Sequence, residues 1–217
     1  ESAVVEEKLL KGNAAKLEAR RAAHIQRHFA RADEIVTQHA PAIETDVSFW
    51  TAGAYAGKRQ VIRDYTARLK ASLAVVESTQ PFAMAFPDGQ VVLSRALAES
   101  FELVEEGYDP VLLGILIHEI VHVRDGHAIE HWASEEGRKG LASIADVAGL
   151  IPPLSEQSAQ EYPAAFGSVK LLPELSEYAA DLAAISLLGE LRLDSVRYIA
   201  YLSEIQAATR GDKKIQS

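Results

Sequence analysis

The sequence predicts a predominantly helical α+β fold carrying one small mixed sheet. Three observations support it. Residues 3–39 lack proline and are rich in Ala, Leu, Glu, Lys and Arg, strand and turn signals are confined to 72–93, and Asp109-Pro110 opens a long apolar run. The first pattern favours helix by propensity, the second a hairpin, the third a capped helix start.

In the opening segment Leu9, Leu10, Leu17, Ile25, Phe29, Ile35 and Val36 recur at roughly helical spacing. The segment reads as one or two amphipathic helices, divided at Gly12-Asn13 and ending before Pro41. Such a stripe needs an apolar partner, so an arm packed on the main domain is expected. Residues 41–57, with Pro41, Gly53 and Gly57, read as a connector. This divides the chain into an N-terminal arm and connector, 1–57, and a main domain, 58–217. Residues 58–70 predict a helix with Val61, Ile62, Tyr65 and Leu69 on one side. The period then changes. Residues 72–77 and 82–86 are short and β-prone, and Pro87-Asp88-Gly89 turns the chain into 90–93. From Ala96 onward the pattern is helical again. Asp109 can cap orphan amides and Pro110 suits a first helical position, so a helix should run from there through residue 124. Asp125-Gly126 weakens or ends it. Residues 134–173 are interrupted by glycine and proline and read as a loop-rich insertion over or beside a cleft. Pro173 opens another helix, closing near Gly189, and a last helix covers about 194–208 before a polar tail.

Composition narrows the function. Acidic residues outnumber basic ones 31 to 22 in 217 residues, a formal charge of −9, which argues against binding nucleic acid or an anionic membrane surface. The apolar run near the centre, 111–117, is far short of the roughly 20 residues that span a bilayer. With no cysteine, neither a disulfide nor a thiolate metal site can form, so any transition-metal site must use His, Asp or Glu.

Such residues occur together in His118-Glu119-Ile120-Val121-His122. On a helix, side chains four apart share a face, so both imidazoles can reach one zinc ion. Glu119, rotated by about 100° from His118, flanks the metal without occupying it. From there it can take a proton from an activated water and pass it to a leaving amine. An open zinc site needs a third protein ligand. The best candidate is Glu177, on the helix after Pro173. Asp181, four residues on, shares its face and can accept a hydrogen bond from the distal nitrogen of a ligand histidine. Ala179, Ala180, Ala183 and Ala184 allow that helix a close approach.

These pieces resemble the M48 family of metallopeptidases, within the gluzincins. The resemblance covers about residues 58–208 and rests on the His-Glu-x-x-His and Glu-x-x-x-Asp motifs at 118–122 and 177–181. His127, five residues after the second ligand, matches a histidine frequent in the family. Residues 82–89, Phe-Ala-Met-Ala-Phe-Pro-Asp-Gly, match its hairpin, although Phe82 replaces a frequent asparagine and Leu182 a frequent arginine. The resemblance implies a zincin-like peptidase domain whose edge strand flanks the active-site helix, with one Zn2+ per chain. It further implies hydrolysis of extended or unfolded protein substrates, a peptide pairing with the edge strand at Ala83, Met84 and Ala85. His127 would stand behind the ligands. No histidine follows His131, so Tyr198, Arg192 and Arg197 are the candidates to stabilise the oxyanion. The alternative is a latent or non-catalytic zinc-binding module of quality-control or chaperone-like type. The insertion 134–173, between the two metal helices, could cover the cleft and hold the enzyme latent. A cysteine-free chain, a first residue other than methionine and the resemblance together point to an exported bacterial protein, periplasmic or membrane-associated, with the cytoplasm as the other location. Substrate identity and oligomeric state are not readable from the sequence.

Overall fold

The computed structural model describes residues 2–47, 66, 68–127 and 173–215, with side chains at 15–39, 66, 68–127 and 176–205. The predicted connector after residue 47, most of the helix at 58–70 and the insertion up to residue 172 lie outside the described residues. In chain order the elements are α1 (Ser2–Val47), β1 (Ser72–Val76), β2 (Ala83–Ala85), β3 (Gln90–Ser94), α2 (Arg95–Glu99), α3 (Pro110–Arg124), α4 (Pro173–Glu190) and α5 (Ser195–Ile215).

α1 is one helix, unbroken at Gly12-Asn13 and continuing past the end expected before Pro41. An interior glycine weakens a helix by only about 1 kcal/mol, and proline's fixed φ is itself helical, its cost falling on one hydrogen bond and one carbonyl clash. The buried stripe Ile25, Phe29, Ala32, Ile35 and Val36 joins the same core as Leu112, Leu116 and Leu188, so the arm packs into the domain. α2 is shorter than the helical stretch expected from Ala96. Ser94 caps its start by accepting from the Leu97 N–H, and Ser100 closes it. α5 runs past its expected end near 208 to Ile215.

The sheet is mixed, in the order β1-β3-β2, with β1 parallel and β2 antiparallel to β3. Central β3 buries Val91, Val92 and Leu93 completely. It therefore reads as an apolar run, the pattern of a strand covered on both faces. Val91 and Leu93 belong to the helical core, while Val92 packs with Val76 and Phe86 on the other face. At the β2 edge, Phe86 N–H donates to Gln90 O (2.7 Å) and Ser94 N–H to Phe82 O (2.9 Å). Backbone groups alternate in an antiparallel pair, so those of Ala83 and Ala85 turn away from β3 toward the open edge, and those of Met84 turn inward.

α3 is the hub, packing on α1, α4, α5 and β2. Asp109 caps it, its carboxylate accepting from the N–H groups of Val111 (2.8 Å) and Leu112 (3.0 Å), with Pro110 in the first turn. Gly126, at φ 77°, follows the C-cap Asp125, a left-handed position that suits glycine. Arg124 ties this end to α1 through Asp33 (2.8 Å) and to the chain before β1 through Leu69 O (3.0 Å). None of the helices is long and apolar enough to cross a membrane among the described residues.

The start of α3 is held to α1 by His28, which is fully buried. Its Nδ1–H donates to His24 O and its Nε2 accepts from the Asp109 N–H, both at 2.8 Å. His24, Arg27, Tyr108 and Asp109 surround it. Burial holds its pKa down at about 4, against 6.5 for a free imidazole. The unfolded chain therefore binds more protons than the folded one between those values, and stability rises with pH across the window. Urea unfolding should show a loss approaching about 3 kcal/mol from this group as the pH falls from about 7 to 4. His28→Gln should have a flatter profile; equal slopes in the two proteins would refute this account.

Candidate metal centre

His118 and His122 stand one turn apart on α3, with ring centroids 4.6 Å apart. Their Nε2 atoms approach to 2.9 Å. α4 can come close because Ala179, Ala180, Ala183 and Ala184 are all buried in its contact face. It delivers Glu177, with Oε2 at 3.4 Å from His118 Nε2 and Oε1 at 3.4 Å from His122 Nε2. One ligand atom from each residue lies within 4.8 Å of the other two. A tetrahedral ion with donors at about 2.0–2.1 Å has donor–donor edges of about 3.3 Å. The observed separations fit that edge, and the nitrogen and oxygen donors suit zinc.

Each histidine is oriented from behind. His118 Nδ1 lies 2.9 Å from Asp181 Oδ1, so Nδ1–H donates to the carboxylate and Nε2 faces His122 and Glu177. Asp181 Oδ1 also accepts from the Tyr198 hydroxyl at 3.3 Å. His122 Nδ1 lies 3.2 Å from Nδ1 of His127, which is buried. With His122 donating there, His127 accepts through Nδ1 and its own proton sits on Nε2. Burial disfavours a charged His118, but the hydrogen bonds to Asp181 and Glu177 outweigh it and raise its pKa to about 10. The same contact with His118 lowers the pKa of Glu177.

Glu119 is buried, and its carboxylate accepts a hydrogen bond from the Ala85 N–H at the open edge of β2. Desolvation pushes its pKa up to about 7, opposed by the positive charge of His118. A carboxylate poised there can exchange a proton near neutral pH. The groups border a cleft of about 540 Å³, whose walls include Phe82, Ala83, Leu97, Ile115, Tyr201 and Leu202.

The other expected residues separate. Tyr198 lines the cleft, but its hydroxyl is engaged with Asp181. Arg192 sits at φ 56° in the turn that closes α4, and Arg197 reaches Asp109 (3.9 Å) at the far end of α3; neither lines the cleft. Of the edge-strand residues, Ala83 lines the cleft, Ala85 gives its N–H to Glu119, and Met84 turns its backbone groups to β3. Two features were missed in the sequence: the Ala85–Glu119 hydrogen bond, which leaves no sequence signal, and Gly114. Gly114 was detectable as a lone glycine inside an apolar helix, one turn ahead of His118.

The family model described as Peptidase family M48 matches residues 56–208, a span that contains the sheet, α3, α4 and most of α5. No curated protein matches the chain.

Glu119 gives a test that needs no substrate. In the metal-free protein its folded pKa is about 7 against an ordinary 4.5, so the folded state binds more protons between those values. Its contribution is fully present below the lower value and lost as the pH rises through the higher one. Urea unfolding should therefore show that Glu119→Gln is the more stable protein at about pH 8.5, by up to about 3 kcal/mol, with the gap narrowing toward pH 5. A variant no more stable than wild type at the higher pH would contradict the buried-carboxylate account.

Proposed function

The chain belongs to peptidase family M48, and from that premise we propose that it is a zinc-dependent endopeptidase with a zincin-like active site. The supporting observation is the convergence of His118, His122 and Glu177 within 4.8 Å beside the buried base Glu119. His118, His122 and Glu177 would hold one zinc ion, which would supply Lewis-acid polarisation of the scissile carbonyl and acidify a water. Asp181 keeps the His118 proton on Nδ1, so that Nε2 is free to act as a ligand. His127 does the same for His122 from the opposite side.

Glu119 takes a proton from the attacking water and delivers it to the leaving amine nitrogen. Burial disfavours its charged form, which favours holding the proton between the two transfers. The substrate lies extended along β2, where the outward backbone groups of Ala83 offer strand pairing. An extended backbone is required there, so unfolded or flexible protein segments are the substrate class. Apolar walls at Phe82, Leu97, Ile115 and Leu202 receive a side chain next to the scissile bond.

Elemental analysis should find one zinc per chain in the wild type and little or none in Glu177→Ala. Glu119→Gln should keep its zinc and lose roughly 10²–10⁴-fold or more in turnover of a disordered protein substrate. Wild-type turnover in Glu119→Gln would sink the assignment of the base; full zinc occupancy in Glu177→Ala would sink that of the third ligand.

A further inference from the structure

We propose that Tyr198 is a positioning residue for the metal ligand His118, acting through Asp181, and that residue 114 is glycine so that the Tyr198 ring can reach this seat. The inference rests on the metal-centre reading above and is independent of any peptidase activity.

Tyr198 is 1% exposed, at the start of α5. A buried phenol hydroxyl needs a partner, and here the partner is Asp181 Oδ1, the same oxygen that accepts from His118 Nδ1. Two donors on one carboxylate oxygen fix its rotamer and keep it turned toward His118. The ring of His118 is thereby held with Nε2 directed at the other donors. Burial and the neighbouring Asp181 charge both push the Tyr198 pKa up, so the hydroxyl remains a donor at any working pH. A hydroxyl engaged this way serves the back of the ligand, a different task from stabilising an oxyanion in the cleft.

The ring's position has its own determinant. A Cβ on Gly114 would stand 2.6 Å from Tyr198 Cδ2, 2.8 Å from Cγ and 2.9 Å from Cε2, closer than carbon atoms approach. Gly114 lies four residues before His118, on the same face of α3. Glycine weakens a helix interior relative to alanine. Here its absence of a side chain lets the aromatic ring lie directly on the helix backbone, one turn from the ligand.

The test is zinc affinity, measured by competition with a chelator of known affinity near neutral pH. Tyr198→Phe keeps the ring on Gly114 and removes only the hydroxyl. It should weaken zinc binding by about 3- to 10-fold, less than the roughly 10–100-fold typical of groups bonded directly to a ligand. The thermal midpoint of the metal-free protein should change little. In an Asp181→Ala background, adding Tyr198→Phe should change zinc affinity no further, since the path through the carboxylate is already cut. Gly114→Ala, which displaces the ring but spares the hydroxyl, should also weaken zinc binding. Unchanged affinity in Tyr198→Phe would overturn the proposal, as would a lower thermal midpoint or lower turnover with zinc affinity intact. An equal weakening in both backgrounds would show that Tyr198 does not act through Asp181. Failure of the wild type to take up zinc would remove the metal-centre reading and this inference with it.

Discussion

A charged group taken out of water must find a partner or lose its charge, and α3 places three ionisable side chains in one of the most apolar settings of the fold. Among its fifteen residues, thirteen are buried, Glu119 and His122 with them. The solution lies on the neighbouring elements. α4 supplies Glu177 and Asp181, β2 supplies the Ala85 N–H, and His127 follows the helix end. None of these partners comes from α3 itself. The centre exists only when helix, sheet edge and second helix are packed, and the arrangement of α3, α4 and β2 is the arrangement that satisfies those charges.

The far end of α3 shows the same constraint without any chemistry to serve. A helix start leaves four backbone positions without intrahelical acceptors; Pro110 has no N–H at one of them, and the Asp109 carboxylate satisfies Val111 and Leu112. The Asp109 N–H is in turn satisfied by neutral His28, on α1. At the opposite end Arg124 joins α3 to Asp33, also on α1. α1 therefore grips α3 at both ends while its apolar stripe fills the space between, leaving the face with His118 and His122 to α4 and β2. The arm is part of what places the helix that carries the candidate ligands.

Much of this was legible because periodicity and caps are local. The Asp-Pro start and the Asp-Gly end bracket α3 in the sequence as they do in the structure, and the Pro-Asp-Gly turn falls where β2 passes into β3. The pairing of Glu177 with the histidines was legible through chemistry: an open zinc site lacks a third ligand, and only one later helix offers carboxylates four apart beside a run of alanines. Other features were hidden because they depend on distant segments. Nothing in residues 41–47 announces that helix persists beyond Pro41, since a proline penalty can be outweighed elsewhere. Arg197 looked available for the cleft because its partner Asp109, 88 positions earlier, is a neighbour only after α5 has packed. Tyr198 lines the cleft and gives its hydroxyl to Asp181, a carboxylate 17 positions earlier. The glycine that seats its ring lies 84 positions before it.

Two imidazole nitrogens 2.9 Å apart cannot both present lone pairs to each other, so one of them carries a proton or a cation lies between them. In the metal-free protein, despite burial, the hydrogen bonds of His118 to Asp181 and Glu177 favour its protonated form. The core around α3 is built of apolar side chains, in contrast to small zinc-dependent domains whose apolar residues cannot sustain a core alone. Leu112, Leu116, Ile117 and Ile120 pack against α1, α4 and α5 with no contribution from a metal. The three donors already stand near tetrahedral spacing, so a metal held by them would require little reorganisation. That spacing depends on side chains outside the donor set: the alanines that admit α4, the glycine that admits Tyr198, and the carboxylate between them. A Cβ on Gly114 would meet the Tyr198 ring at 2.6 Å, and larger residues in place of the alanines would hold α4 away from α3.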